Sequence, residues 1–295
     1  MRKKKSTQRS VWAETWRRLK KDKMAVAGLI FIGLLVVIAF STMFIDIATN
    51  KAVYNDYVIK QNLRMRLQGP SPDHVFGLDE FGRDILLRML WGTRYSLFMG
   101  TFAIVFSVIV GSLLGAVSGF YGKVADNVIM RFMDVLLAIP SMLLATAIVA
   151  ALGTSLTNVL LAISISYIPT FARTVRASVL TIKDQEYIEA ARALGAGDGR
   201  IIFRYIIPNS LAPLIVQATL GVAGAILSIA GLSFLGLGIQ PPTPEWGSML
   251  SNARTYIREG WHVTVIPGLG IMLTILALNI LGDGLRDALD PRLKN

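Results

Sequence analysis

Polar and apolar residues follow each other in long blocks along this chain, not in the short periods of a soluble domain. Runs free of Asp, Glu, Lys and Arg extend over Met24–Ile45, Tyr95–Gly122, Val135–Ala172, Tyr205–Pro244 and Gly260–Gly282. A helix needs about 20 apolar residues to cross a hydrocarbon core of about 30 Å, so the first, second and last runs each predict one span. The third run is nearly twice that length and carries a turn signal at Gly153-Thr154-Ser155, followed by Asn158, which divides it into two. The fourth opens with Pro208 and Pro213 and closes on Pro241-Pro242-Thr243-Pro244, leaving one span from about Leu211 to Gly238. The expected fold is all-α, a polytopic membrane protein with six transmembrane helices. Its parts are a basic segment over 1–23, a first span over 24–45 and an outer segment over 46–94. A five-helix core over 95–282 with a polar loop at 173–208 and a tail over 283–295 complete it.

The hydrophobic content of 53% agrees with a bilayer, and the net charge of +11 sits mainly between the apolar runs. Topology explains that charge better than nucleic acid does. Ten Lys and Arg residues precede the first span: Arg2, Lys3, Lys4, Lys5, Arg9, Arg17, Arg18, Lys20, Lys21 and Lys23. With six spans, twenty-one basic residues fall on that side and nine on the other, which predicts that both termini are cytoplasmic. The first apolar run is too long for a signal-peptide core and lacks a small-residue cleavage site, so a retained anchor is expected. Val11, Trp12, Thr15, Trp16 and Leu19 share a helical face among basic residues, the pattern of an interfacial helix or of a solvated basic tail.

Several chemistries drop out. Cysteine is absent and only His74 and His262 are present, which removes disulfides, thiolate catalysis and the common imidazole metal sites. Gly122-Lys123 is followed by Val124 and lacks the leading glycine at Val117, so there is no phosphate-binding loop. Gly231-Leu232-Ser233-Phe234-Leu235 fails the nucleophile-elbow pattern at its last position. No carboxylate lies in an apolar run, which disfavours proton-coupled carriage. Asp79, Glu80 and Asp84 come with Arg83 and read as a charged turn leading into the next helix. Ala103, Ser107, Gly111, Gly115 and Gly119 recur every four residues and predict a face packed against another helix, in this chain or a partner. The polar residues of the spans, Thr146, Asn158, Ser164, Ser166, Gln217 and Thr219, are expected mostly to bond their own helices.

The most informative segment is the polar loop. Asp184 is a candidate N-cap, Gln185 to Leu194 predict a short helix, and Gly195 stands where a left-handed residue would end it. Asp198 is placed to cap a second helix that Pro208 would terminate. Ala190, Ala191 and Ala193 would then offer a surface small enough to enter a groove.

Glu189, Ala190, Ala191, Gly195 and Pro208 resemble the EAA loop of binding-protein-dependent ABC importer permeases, with Tyr205 and Ile207 at two positions where that motif carries Ile and Leu. The resemblance extends to the C-type subunit of dipeptide, oligopeptide and nickel importers. It is carried by Trp16-Arg17-Arg18, Lys23 to Leu29, Gly77 to Asp84, Leu232 to Gly238, Glu245-Trp246-Gly247 and Gly282 to Pro291. It implies a type I importer, MetI-like transmembrane domain that is not itself an enzyme. Glu189, Ala190, Ala191, Arg192, Gly195 and Pro208 would couple to separate ATPase subunits, which would bind ATP and magnesium; this chain would hold no cofactor. The implied partners are a second permease chain forming a heterodimeric pore, two ATPase subunits, an extracytoplasmic binding protein and a peptide substrate, in a bacterial or archaeal cell membrane. Nickel or another small solute is the alternative cargo. A stand-alone channel or carrier, or a membrane scaffold or sensor, are the readings from other classes.

Overall fold

A computed structural model describes residues 11–290. Arg2, Lys3, Lys4, Lys5, Arg9, Pro291, Arg292 and Lys294, and the side chains of Val11 and Trp12, lie outside the described residues. A short helix α1 (Val11–Leu19) leads into α2 (Lys23–Ala48), whose first turn is capped by Asp22: its carboxylate accepts from the amides of Met24 and Ala25 at 2.9 and 3.1 Å. After an irregular segment, Asp84 caps the long α3 (Ile85–Tyr121) by accepting from the Leu87 amide at 2.9 Å. Then follow α4 (Lys123–Ala138), α5 (Ser141–Leu152) and α6 (Leu156–Ile182). The polar loop holds α7 (Glu186–Ala193), α8 (Asp198–Ile201), a π-helical turn over Ile202–Ile206 and α9 (Ile207–Asn209). The described residues end with α10 (Leu211–Phe234), the short α11 (Trp246–Ala253) and α12 (Trp261–Leu289).

Among the described residues, five helices are long and apolar enough to cross a membrane: α2, α3, α6, α10 and α12. The remaining crossing differs from the straight span expected over the first half of the Val135–Ala172 run. Helix α4 ends at Ala138 because Ile139 precedes Pro140 and is extended (φ −95°, ψ 126°), and α5 departs at 91° to α4. At 12 residues α5 is about 18 Å long, too short to cross alone, and the bent pair α4 with α5 is the candidate for a sixth crossing. Other boundaries also move outward. Helix α3 begins ten residues before Tyr95 and takes in Arg88 and Arg94; α6 runs on through Arg173 and Arg176; α12 passes Gly282 to Leu289. Helices with tertiary partners continue past the end of a charge-free run, which marks only what lipid tolerates.

The contacts fix how the helices run. Trp91 Nε1 donates to Asp46 Oδ1 at 2.9 Å, joining the end of α2 to the start of α3. Gly284 of α12 meets Ala25 at the start of α2. Helices α3 and α6 are parallel: Ser107 Oγ donates to the Ser164 carbonyl at 2.8 Å, Gly111 lies against Ile168 and Phe171, Gly115 against Ala172, and Gly119 against Arg176 and Val179. The start of α2, the end of α12 and the α7 loop therefore occupy one end of the bundle, and α11 the other. Among the described residues, the two larger of the apolar clusters form the main cores. One joins α3, α5, α6 and α10 around Ile163, Phe171 and Ile229; the other joins α2, α3, α10, α11 and α12 around Ile226 and Trp246.

A Cβ on Gly115 would overlap the backbone oxygen of Ala172, so any side chain there must part α3 from α6. Gly115→Leu is expected to leave little monodisperse protein on size exclusion in mild detergent. Gly33→Leu, where a Cβ meets nothing within 4 Å, should elute as the parent does.

Candidate functional site

The α7 loop joins a buried root to an exposed face. Ile188 is fully buried and Ala191 nearly so, and Ile201, Ile202 and Ile206 join Ile188 in the same core as Val175 and Val179 of α6. Glu186, Tyr187, Glu189, Ala190, Arg192 and Ala193 point outward. The small surface is thus Ala190 with Ala193, while Ala191 faces in, because residues one apart on a helix lie about 100° around its axis. Arg192 places its guanidinium 5.3 Å from the ring centroid of Phe120 at the end of α3. Tyr187 and Tyr205 approach with ring centroids 6.3 Å apart, tying the two arms together.

The ends of these helices differ in detail from expectation. Gln185, not Asp184, occupies the N-cap position of α7 and makes no side-chain cap bond. Gly197 precedes α8, with Asp198 as its first residue. Pro208 does not stop the second arm: it sits in the first turn of α9, where its missing amide costs nothing, and α10 follows after Ser210. Gly195 has φ +83°, and the amides of Gly195 and Ala196 bond the carbonyls of Arg192 and Ala191 at 2.9 and 3.0 Å. That is a Schellman closure, and its left-handed residue costs a non-glycine about 1 to 2 kcal/mol. Leu194, 89% exposed, and Phe203, 62% exposed, are left bare on the same loop.

Inside the spans, Thr146, Ser164, Ser166 and Thr219 donate to carbonyls four residues back, so they serve their own helices. Gln217 accepts from Thr174 of α6, and Asn158 donates to the carbonyls of Leu152 and Gly153. At the α11 end, buried charge replaces what reads as a simple turn. Arg83 Nε donates to Asp79 Oδ2 at 2.6 Å, Arg88 Nε lies 3.3 Å from the same oxygen, and both guanidiniums are almost wholly buried. Arg88 also donates to the carbonyls of Val58 and Pro242 at 3.4 and 3.2 Å, joining three segments. Burial and the neighbouring Asp79 charge push the Glu80 carboxyl above its ordinary range. Arg94 pairs with Asp46 at 2.6 Å, and Glu245, also buried, accepts from the amides of Gly247 and Ser248 to cap α11. The only trace of this knot in the sequence is the four-residue spacing of Asp79 and Arg83. His74 pairs with Asp84 at 2.8 Å and His262 Nε2 donates to the Leu78 carbonyl at 3.2 Å, so both imidazoles are engaged in the fold. Among the described residues, no group of three or more His, Cys, Asp or Glu is placed to hold a metal.

Known proteins resemble the chain along nearly its whole length. The family model "Binding-protein-dependent transport system inner membrane component" matches residues 108–295, and "N-terminal TM domain of oligopeptide transport permease C" matches residues 10–70. A dipeptide transport system permease protein DppC of Alkalihalophilus pseudofirmus is 49% identical over 286 residues, covering 97% of this chain and 91% of that one. A glutathione transport system permease protein GsiD of Pectobacterium atrosepticum is 46% identical over 287 residues, covering 97% and 93%. Among solved structures, an inward-facing form of the MetNI methionine ABC transporter matches with a TM-score of 0.56 at 20% identity, over 70% of this chain and 98% of that one, which supports the fold. The chain belongs to the binding-protein-dependent transport system inner membrane components, and within them to the permease subunits of the C type.

Proposed function

We propose that this permease subunit forms half of a peptide translocation path and is moved by separate ATPase subunits that grip α7. The observation that carries this reading is the build of α7 itself: a face of Glu189, Ala190, Ala193 and bare Leu194, rooted through Ile188 in the core that includes α3 and α6. An exposed leucine beyond the end of a span gains nothing from lipid and fits a groove in another protein. Force on that face reaches the spans because the root is packed, not hinged. Glu189, Ala190, Arg192 and Gly195 then make or shape the contact, Ala191 anchors it from inside, and Pro208 starts the return into α10.

The partners are a second, similar permease chain completing the pore, two ATPase subunits that hold ATP and magnesium, and an extracytoplasmic binding protein that delivers cargo. Dipeptide, tripeptide and glutathione transport are named for relatives, which supports small peptides as the cargo class. The basic residues of α1 and of the α7 loop favour the end they share as the cytoplasmic one, with both termini on that side of a bacterial or archaeal inner membrane. The division into a basic segment, a first span, an outer segment and a five-crossing core follows the same reading. Alternating access results when closure of the ATPases draws two α7 helices together and the rigid crossings rock about the pore axis.

Affinity purification of the tagged chain from its native membrane in mild detergent is expected to recover a second six-crossing permease and one or two kinds of ATPase chain. Recovery of a stable chain alone overturns the reading in favour of a channel or carrier. Glu189→Lys reverses charge on the docking face, and Gly195→Pro cannot adopt φ +83°. In both variants peptide uptake should fall to background while immunoblots show the usual amount of chain in the membrane; unchanged uptake in either removes α7 from the coupling role.

A further inference from the structure

One ion pair sits where neither lipid nor the core accounts for it. Arg173 Nη2 on α6 lies 2.5 Å from Asp134 Oδ1 on α4, and the two side chains remain 53% and 55% exposed. Arg173 stands nine residues before the end of α6, so it lies about 13 Å in along an axis that rises about 1.5 Å per residue. It is level with the Gly115–Ala172 contact, inside the end of α3 as well. Arg131, three residues before Asp134, is exposed on the same face of α4. Beside Arg173, Thr174 donates to Gln217 of α10, carrying the polar surface onto a third helix. At the same end Arg176 is held by both carboxylate oxygens of Asp126 at 2.6 Å, with the two side chains 34% and 21% exposed.

Charged groups within a membrane bundle face water-filled cavities or one another, because hydrocarbon solvates neither. An exposed pair gains little from its own attraction, since solvent screens it and two long side chains must be held still. Its charges are therefore available for exchange with those of a ligand. We propose that Asp134 and Arg173 line the translocation path and read the two ends of a small peptide, Arg173 taking its carboxylate and Asp134 its ammonium. Arg131 leaves the patch with one excess positive charge, so the carboxylate is the end held first. This assignment rests on the importer reading above and adds to it a wall of the path and the chemistry that wall recognises.

The chain contains no cysteine, which permits reporters at Ala177, one turn beyond Arg173, and Ala138, one turn beyond Asp134, both exposed. The assembled importer is placed in inside-out membrane vesicles and treated with a water-soluble, negatively charged methanethiosulfonate. Ala177→Cys and Ala138→Cys are expected to react, and Phe40→Cys, on the 69% exposed apolar face of α2, to resist. A free dipeptide should slow the reaction several-fold, whereas the same dipeptide acetylated and amidated should not. Arg173→Gln or Asp134→Asn, added to either reporter, should abolish the protection. Silence of both reporters in a complex that still holds its ATPases means that lipid or the second permease chain covers the pair, and overturns the proposal. So does labelling of Phe40→Cys at the same rate, equal protection by the blocked dipeptide, or protection that survives both substitutions. Loss of the ATPase chains from the preparation overturns the importer reading first, and this inference with it.

Discussion

The parallel seam between α3 and α6 is the contact on which the rest of the molecule depends. Its strength comes from absence: Gly111, Gly115 and Gly119 let the backbone of α6 come so near that dispersion and the Ser107 to Ser164 hydrogen bond replace any hydrophobic driving force. Two parallel helices cannot be joined by a tight turn. The chain must come back between them, and α4 with α5 is that return. The return through α4 and α5 and the placing of α7 at the end of α6 both follow from this one pairing.

From the seam the load path to α7 is short. Ile188 packs with Val175 and Val179, which occupy the stretch of α6 that meets Gly119, and Arg192 rests on Phe120 next along α3. A push on α7 is therefore felt by both helices of the seam together. At the opposite end, Arg88 joins the segment that holds Val58, the Pro241–Pro244 turn and the start of α3 in one cluster. Clamping at both ends suits the rigid rocking proposed above.

Much of this was legible in the residues. Charge-free runs identified the crossings because the cost of burying a charge in lipid is one-dimensional along the chain, and the four-residue stripe in α3 pointed to a packed face because helical geometry is local. Gly195 foretold a left-handed closure for the same reason. What escaped was set by partners distant in sequence. Nothing near Arg88 says that Asp79 will sit beside it and leave it buried, and Pro208 reads as a stop unless one knows that α9 opens there. The split at Gly153 was visible, whereas the bend at Pro140 was lost inside an uninterrupted apolar run. Ala191 was grouped with Ala190 because composition does not distinguish an inward methyl from an outward one.

The turn between α5 and α6 shows how a helix of only twelve residues is tolerated in such a bundle. The last carbonyls of any helix need donors, and where no side chain offers them water must. Asn158 reaches back from the first turn of α6 and gives its amide hydrogens to Leu152 and Gly153 at 2.8 and 3.0 Å. The side chain supplies from within what solvent would otherwise provide, so the turn carries its own hydration. A short helix finished in that way can end wherever the path needs it to, independent of where the membrane surface happens to lie.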